Sequence, residues 1–350
     1  MDRPDEPSRD LPCDNDTDTT ALSLSINQLV ARHARERLLV RPVRWTDRRL
    51  SLLRCRFHSQ GEGGRAEGMP TAYLKPETSD SDSERQTLYL EHTDNFWDRS
   101  RSIDELLGLV SEHRTLNRKY LGSVALYFNQ QPCAKFAYKD REIITAQPGR
   151  KRIRFALFDM SEPLRQRFQH FKPPWPKNEP VAEHKRRLRK RLAPRDRYRD
   201  PYLVAVIIAL AQKKRHEAPQ QASPPRGFTV RLLILDRDKT SVFQYVAHVQ
   251  GSFLDMFDHP ATQPPSGNPG LDVHCWEIPS SPGSTFAHRL VWALRTDCCG
   301  EMHADTAEEA TDIGETNDAG EANDSQETDD TEEVDEDSLV LKESMSSCGC

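Results

Sequence analysis

The chain has 350 residues, of which 36% are hydrophobic and 30% are charged, and its formal net charge is −6. This composition argues against an integral membrane protein. The longest apolar run, LVAVIIALA at 203–211, is only about half of the roughly 18 residues that a membrane helix needs. The acidic, polar start of the chain predicts no secretory signal, so we expect a reducing compartment.

The net charge conceals two segments of opposite sign. Residues 301–350 contain 18 Asp and Glu against the single basic residue Lys342, whereas residues 150–215 contain 20 Lys and Arg against 6 acids. Residues 1–300 alone contain 48 basic and 37 acidic residues. The counts predict a basic body with an acidic arm, which constrains the partners of the protein without naming a reaction.

Composition also predicts how the chain is organised. Residues 1–20 and 300–350 have too few large apolar side chains to offset the entropy of ordering them, so we expect a disordered start and a disordered acidic tail. The stretch 59–87 is rich in Gly, Ser, Pro and charge and is expected to be a linker. We predict a short helix and strand extension over 21–58 and one α+β core over 88–299.

The first predicted elements are helices. Residues 21–40 begin apolar and become basic, which indicates a short amphipathic helix. Ser102 followed by Glu105 has the spacing of a capping box. This spacing predicts a helix over 103–119.

Alternation of apolar and polar residues predicts the strands, with turn residues between successive members of each hairpin. The predicted strands are VALYF at 124–128, CAKFAY at 133–138, IRFALF at 153–158, FTVRLLILD at 228–236, TSVFQYVAHV at 240–249 and LDVHCWEI at 271–278. We therefore expect an α+β fold in which a single mixed sheet of about five to six strands packs against helices.

The clearest helix signal lies in the middle of the chain. Asp200 is a favourable N-cap, Pro201 suits the first helical position, and an uninterrupted apolar stretch continues to Ala211. These features predict a buried central helix. Shorter helices are predicted from Glu162 to about Phe171, in SFLDMF at 252–257, and after a Ser284 cap.

No common enzyme signature occurs: the phosphate loop, the dinucleotide-binding turn, the nucleophile elbow and the zinc-protease helix are all absent from the sequence. Asp236, Asp238 and Lys239 offer the acid and lysine of a metal-dependent nuclease, but the same residues suit an ordinary hairpin turn. The sequence places no carboxylate or cysteine at a catalytic spacing from His248 or His288, so both fit structural roles. We assign no catalytic residue from the sequence.

The eight cysteines are scattered and form no C-x-x-C motif. His274 and Cys275 stand without a second pair at zinc-site spacing. The sequence therefore predicts neither a disulfide framework, nor a metal site, nor a cofactor.

Two basic runs are the sharpest candidate for a binding site. They are KRRLRKR, with Lys185, Arg186, Arg187, Arg189, Lys190 and Arg191, and KKR, with Lys213, Lys214 and Arg215. The first run could be the solvated face of a helix that Pro194 ends, a nuclear import signal, or a surface for phosphate backbones.

Aromatic residues lie among these cations. Phe168, Phe171, Trp175 and Tyr198 could stack on unpaired bases. No zinc finger, helix-turn-helix or RNA-binding signature accompanies them. Any nucleic-acid binding is thus expected to depend on charge or shape and to weaken steeply with salt.

The acidic tail carries two further patterns. Leu339, Val340 and Leu341 follow a dense acidic run and resemble the short strands that add to the edge of a ubiquitin-like modifier, although so small an apolar island also arises by chance. Cys348 and Cys350 are similar to the doubly prenylated terminus of Rab-type GTPases. The alternative is two unmodified thiols, because the sequence has no phosphate loop.

Two segments of the core, DPYLVAVIIALAQKKR at 200–215 and FTVRLLILDRDKTSVFQYVAHVQGSFLDMFDHP at 228–260, resemble a group of uncharacterised proteins of filamentous fungi. The resemblance implies a fungal origin and a shared α+β core. It implies no activity and no catalytic residue.

Taken together, these patterns predict a non-enzymatic nuclear interaction protein. Its basic surface would bind nucleic acid or acidic proteins, together with an import receptor, and its acidic tail would compete for that surface. One alternative is a degenerate nuclease-like or other enzyme on the α+β core. Another is a peripheral membrane protein lipidated at its last cysteines. The alternative location is the cytoplasm.

Overall fold

The computed structural model describes residues 24–36, 40–59, 81–93, 95–110, 113–116, 121–145, 152–173, 178–218, 226–236, 241–264 and 270–295. In these ranges the helices are α1 Ile26–Arg32, α2 Asp47–Leu52, α3 Ser81–His92, α4 Phe96–Leu109, α5 Glu162–His170, α6 Glu179–Leu192, α7 Pro201–Glu217, α8 Gly251–Asp258 and α9 Phe286–Arg295. The strands are β1 Cys55–Ser59, β2 His113–Leu116, β3 Leu121–Phe128, β4 Gln131–Thr145, β5 Arg152–Asp159, β6 Gly227–Leu235, β7 Val242–Gln250 and β8 Leu271–Ile278.

The strands form one mixed sheet, which confirms the predicted α+β class. Among the described residues, seven strands hydrogen-bond in the order β1-β8-β7-β6-β5-β4-β2. The eighth strand, β3, is not in this order; it pairs with the first part of β4, whereas β2 pairs with the last part of β4. The pairs β1–β8 and β5–β6 are parallel, and the other pairs are antiparallel. The sheet is larger than the predicted five to six strands because β1 and β2 are short and lack a strong alternating pattern.

Helices cover both faces of the sheet. Leu232 and Ile234 of β6 lie in the same core cluster as α7. The alternate residues Leu233 and Leu235 lie in a second cluster with α4 and α9. Because successive side chains of a strand point to opposite faces, these two clusters define a helix–sheet–helix arrangement.

The central helix is confirmed at its predicted start. The Asp200 side chain accepts a hydrogen bond from the Tyr202 backbone N–H at 2.9 Å, and Pro201 occupies the first turn. Every residue from Pro201 to Gln212 is buried. A helix that is apolar on all sides must lie inside the protein, and α7 fills one face of the sheet in this way.

The start of α4 differs from the prediction. Its N-cap is Asn95, whose side chain accepts a hydrogen bond from the Trp97 backbone N–H at 2.9 Å. Ser102, the predicted cap, lies inside the helix and donates to the Asp98 carbonyl oxygen at 3.2 Å. A serine can satisfy its hydroxyl on the preceding turn in this way, so a capping-box spacing does not by itself mark a helix start.

The structure also shows regular elements in segments that the sequence describes only loosely. Helix α3 begins at Ser81, inside the stretch 59–87 expected to be a linker, and Ser83 donates a hydrogen bond to the Gly283 carbonyl oxygen at 2.8 Å. The extension predicted over 21–58 contributes the buried residue Trp45 to the core cluster of α7, and β1 to one edge of the sheet. Helix α3 begins with polar residues, a composition typical of a linker, but one of them, Ser83, makes a hydrogen bond to a distant part of the chain.

Candidate functional site

The structure places the first basic run on an exposed helix. The Asn178 side chain caps α6 by accepting a hydrogen bond from the Val181 backbone N–H at 3.2 Å, and the helix ends at Leu192, just before Pro194. Ala182 is the only buried residue of α6. The basic side chains of the run therefore lie at the protein surface or half-buried along it.

Two of these cations pair within their own helix. Arg187 Nε lies 2.9 Å from Glu183 Oε1, and Arg186 contacts both Glu183 and, at 3.5 Å, Glu179. The hydrogen bond from Arg187 and the charge of Arg186 lower the pKa of Glu183. Over the ranges that the structure describes, the other cations of the run form no ion pair with an acid; they are Lys185, Arg189, Lys190 and Arg191.

The positive charge continues onto neighbouring elements. Lys185 Nζ donates to the Lys172 carbonyl oxygen at 3.0 Å, which ties α6 to the end of α5. Burial and the charges of Arg44, Arg41 and Lys185 lower the pKa of His170. These cations therefore converge on one region of the protein. We call the following residues the α6 basic surface: Arg41, Arg44, His170, Lys172, Lys185, Arg189, Lys190 and Arg191.

The second basic run has a different environment, because acids on β4 and α8 pair with two of its cations. Lys213 Nζ lies 3.1 Å from Asp140 Oδ2 and also donates a hydrogen bond to the Tyr138 hydroxyl. Arg215 Nη2 lies 2.8 Å from Asp255 Oδ1, and it also contacts Asp258. These residues anchor the end of α7 to the sheet and to α8.

Lys214 lies in a partly buried charged cluster that we did not predict. Its ammonium donates to the Thr229 carbonyl oxygen at 2.7 Å. Burial, together with the charges of Arg231 and Arg154, lowers its pKa to about 8. Nearby, Glu142 is 3% exposed, lies 3.6 Å from Arg154 Nε, and has an Oε1 atom without a hydrogen bond from a described residue. Glu142 of β4 and Arg154 of β5 are direct cross-strand neighbours. Their opposite charges could have indicated this contact from the sequence, but only if the pairing of the two strands had been known.

The nuclease-like acid suggested by the sequence has a structural role. Asp236 is 1% exposed, accepts a hydrogen bond from the Tyr198 hydroxyl at 2.6 Å and pairs with Arg197. Asp238 and Lys239 lie outside the described residues. In the part of the chain that the structure covers, no three His, Cys, Asp or Glu side chains come together as metal ligands could.

A buried serine and lysine form the nearest approach to a nucleophile and base. Lys139 hydrogen-bonds to the Ser100 hydroxyl, and burial together with Arg141 lowers the pKa of Lys139. Ser100 is fully buried, however, and the Trp97 ring covers Lys139 Nζ at 4.2 Å. A substrate could not reach this pair without opening the core.

The aromatic residues near the basic run have separate roles. Phe171 is buried, and Tyr198 stacks on Phe243 with ring centroids 4.0 Å apart. Phe168 is 57% exposed, whereas Trp175 lies outside the described ranges. Of these candidate stacking residues, Phe168 is therefore the one that the structure presents to solvent.

The tail motifs, with Leu339, Val340, Leu341, Cys348 and Cys350, also lie outside the described residues. No helix within the described ranges is both long enough and apolar enough to span a membrane. A scan against models of known protein families gives no match, and a search of curated proteins gives none either. The geometry of the described residues therefore carries the functional argument.

Proposed function

We propose that this chain is a non-enzymatic interaction protein of the nucleus. Its α6 basic surface binds nucleic acid or acidic proteins, and its acidic C-terminal segment competes for that surface. One observation carries the proposal: α6 lies at the surface with Ala182 as its one buried residue, and the cations of its basic run either pair within the helix or contact no described acid. Lys213 and Arg215 at the end of α7, in contrast, pair with Asp140 and Asp255.

The physical basis is electrostatic. Cations that neutralise phosphates release condensed counterions, so affinity falls steeply as salt rises. The acidic segment, with 18 Asp and Glu against one Lys over residues 301–350, is tethered to the basic body. Tethering gives it a high effective concentration and makes it an intramolecular competitor for any polyanion.

The test compares the full-length chain with a truncation that ends at residue 300. We expect the truncated chain to bind heparin or DNA more tightly, with a different dependence on salt concentration. Equal affinity and an equal salt slope would show that the acidic segment does not compete.

A charge-matched pair of variants tests the surface itself. Replacing Lys190 and Arg191 by Ala should weaken binding and reduce the slope of log affinity against log salt by roughly 2, because about 0.9 counterions accompany each phosphate contact. Replacing Arg85 and Arg101 of α3 and α4 removes the same charge from exposed positions elsewhere and should change little. The proposed nuclear location predicts that the first variant, and not the second, loses nuclear accumulation.

One observation favours a second candidate, an enzyme on the α+β core. Asp140 and Glu142 of β4 lie on the sheet close to Lys213 and Arg154, and Glu217 contacts both cations, at 3.5 and 3.4 Å. Carboxyl groups and a lysine can act as general acids and bases in hydrolysis. Cleavage of DNA that disappears in Glu142→Gln would establish this candidate, and the absence of cleavage by the parent chain would remove it.

A further inference from the structure

An exposed phenylalanine lies within the α6 basic surface. Phe168 is 57% exposed and Leu164, one turn earlier on α5, is 55% exposed. Single exposed apolar side chains are common and need no explanation by themselves. The informative feature is the arrangement of charge around the Phe168 ring.

The Phe168 ring is oriented by a cation. The guanidinium carbon of Arg189 lies 5.1 Å from the ring centroid, within the range of a cation–π contact. Lys185, which lies on α6 one turn before Arg189, donates a hydrogen bond to the Lys172 carbonyl oxygen just after α5. One side of the ring is therefore occupied by Arg189, and the rest of the exposed ring is available to a ligand.

This combination has a known physical use. Proteins that bind unpaired nucleic acid pair a positively charged surface with aromatic rings on which bases stack. Arg189 lies over the Phe168 ring and Lys185, one turn earlier on α6, contacts the end of α5, so phosphates beside a stacked base would meet these two cations. In a duplex the bases are already stacked on each other, and exposing one would cost a few kcal/mol.

We infer that the α6 basic surface binds single-stranded nucleic acid, with one base stacked on the exposed ring of Phe168. The inference rests on the proposed function, because it names the class of polyanion that the same surface takes. An anionic membrane is the competing ligand for a basic surface with exposed Phe and Leu. It is disfavoured because inserting the Phe168 ring into lipid would draw the Arg189 guanidinium out of water, whereas base stacking leaves that contact intact.

The experiment uses the full-length chain at low salt with four probes: a single-stranded oligothymidylate of about 15 nucleotides, a duplex of equal length, heparin, and vesicles of phosphatidylserine and phosphatidylcholine. We expect the single strand to bind more tightly than the duplex. Phe168→Ala should weaken single-strand binding about fivefold or more, since one stacked base contributes about 1–3 kcal/mol. It should leave heparin binding unchanged.

Two further variants complete the design. Phe168→Trp should keep single-strand binding, whereas Leu164→Ala, a matched exposed apolar site on α5, should have little effect on it. If heparin and both nucleic acids bind with equal affinity and Phe168→Ala is silent, the inference fails while the proposed function stands. If the protein binds vesicles and Phe168→Ala and Leu164→Ala weaken that binding equally, the ligand of the surface is an anionic membrane and the inference fails. If no probe binds in a salt-dependent way, the proposed function fails as well.

Discussion

Lys213 and Lys214 are neighbours in sequence, yet their side chains have opposite energetic roles. Burial opposes the charged form of Lys213, but its hydrogen bond to Tyr138 and the charge of Asp140 outweigh that effect and raise its pKa. Lys214 is buried beside other cations, and its pKa falls to about 8. The partner of each side chain, rather than its chemical type, therefore decides whether it stabilises the protein.

We predict opposite effects of removing the two charges. Lys213→Met should lower the free energy of unfolding at pH 7 by about 2 kcal/mol, because it leaves Asp140 and Tyr138 without their partner. Lys214→Met should raise it by about 1 kcal/mol, because a charge that is poorly accommodated in the folded state disappears. Urea unfolding of the parent and both variants measures these differences.

The pH dependence of Lys214 follows from the same pKa. Below about pH 8 the lysine is charged in both the folded and the unfolded protein, so its unfavourable burial is fully present. Between pH 8 and its ordinary value of 10.5 the unfolded chain holds more protons, and stability therefore rises with pH. The advantage of Lys214→Met should shrink over this interval. A constant advantage up to pH 10 would contradict the assignment.

His170 makes polyanion binding dependent on pH. Burial and the charges of Arg44, Arg41 and Lys185 lower its pKa, so at neutral pH the imidazole is neutral. A bound polyanion neutralises the surrounding positive charges and favours the protonated form of His170. Binding is therefore coupled to the uptake of a proton by His170. Affinity should therefore rise as the pH falls from about 7.5 to about 5.5. His170→Gln should abolish that rise, whereas His184→Gln on α6 should keep it.

At the scale of elements, one buried ion pair joins three parts of the fold. Arg167 of α5 is 1% exposed, and its Nη2 lies 2.6 Å from Oδ1 of Asp200, the N-cap of α7. Arg167 Nε also donates to the Val43 carbonyl oxygen at 3.3 Å. The pair therefore links α5 to the start of the central helix and to the turn at 42–44.

Breaking this ion pair should be costly. Arg167→Met should lower the free energy of unfolding by about 3–5 kcal/mol, since it leaves the Asp200 carboxylate buried without its partner. The double variant Arg167→Met/Asp200→Asn should be more stable than the sum of the two single effects predicts, because it leaves no buried charge without a partner. Strict additivity in a double-mutant cycle would show that the two residues act independently.

At the scale of the whole molecule, the early part of the chain belongs to the core. Strand β1 pairs with β8 from Cys55 beside Leu271 to Ser59 beside Cys275. Ile26 and Trp45 lie in the same core cluster as α7. An isolated domain that begins after the predicted linker would therefore lack one edge strand and part of the cover of the sheet.

Deleting residues 1–59 should prevent stable folding. We expect the midpoint of thermal unfolding to fall by at least about 10 °C, or the cooperative transition to disappear, because apolar surface of β8 and α7 would be exposed. Deleting residues 1–20 alone is the control and should leave the midpoint unchanged. Equal midpoints for both deletions would show that the early segment contributes nothing to the core.

Local signals in the sequence were enough to predict several elements. Asp200 and Pro201 predicted the start of α7, and the alternating pattern of 271–278 predicted β8 at its observed bounds. In both cases the signal itself lies within a few residues along the chain. The exposed basic helix α6 also follows from its composition and from the proline that ends it.

The amino-acid sequence by itself thus determined the α+β class, the central helix and the separation of positive from negative charge, because each depends on neighbouring residues or on composition. Only the tertiary structure decided which cations stay available for a partner. Lys213 and Arg215 meet Asp140 and Asp255, whereas Lys185 meets no acid among the described residues. The physical reason is that an ion pair depends on distance in space, and residues more than 70 positions apart become neighbours only when the sheet and its helices assemble.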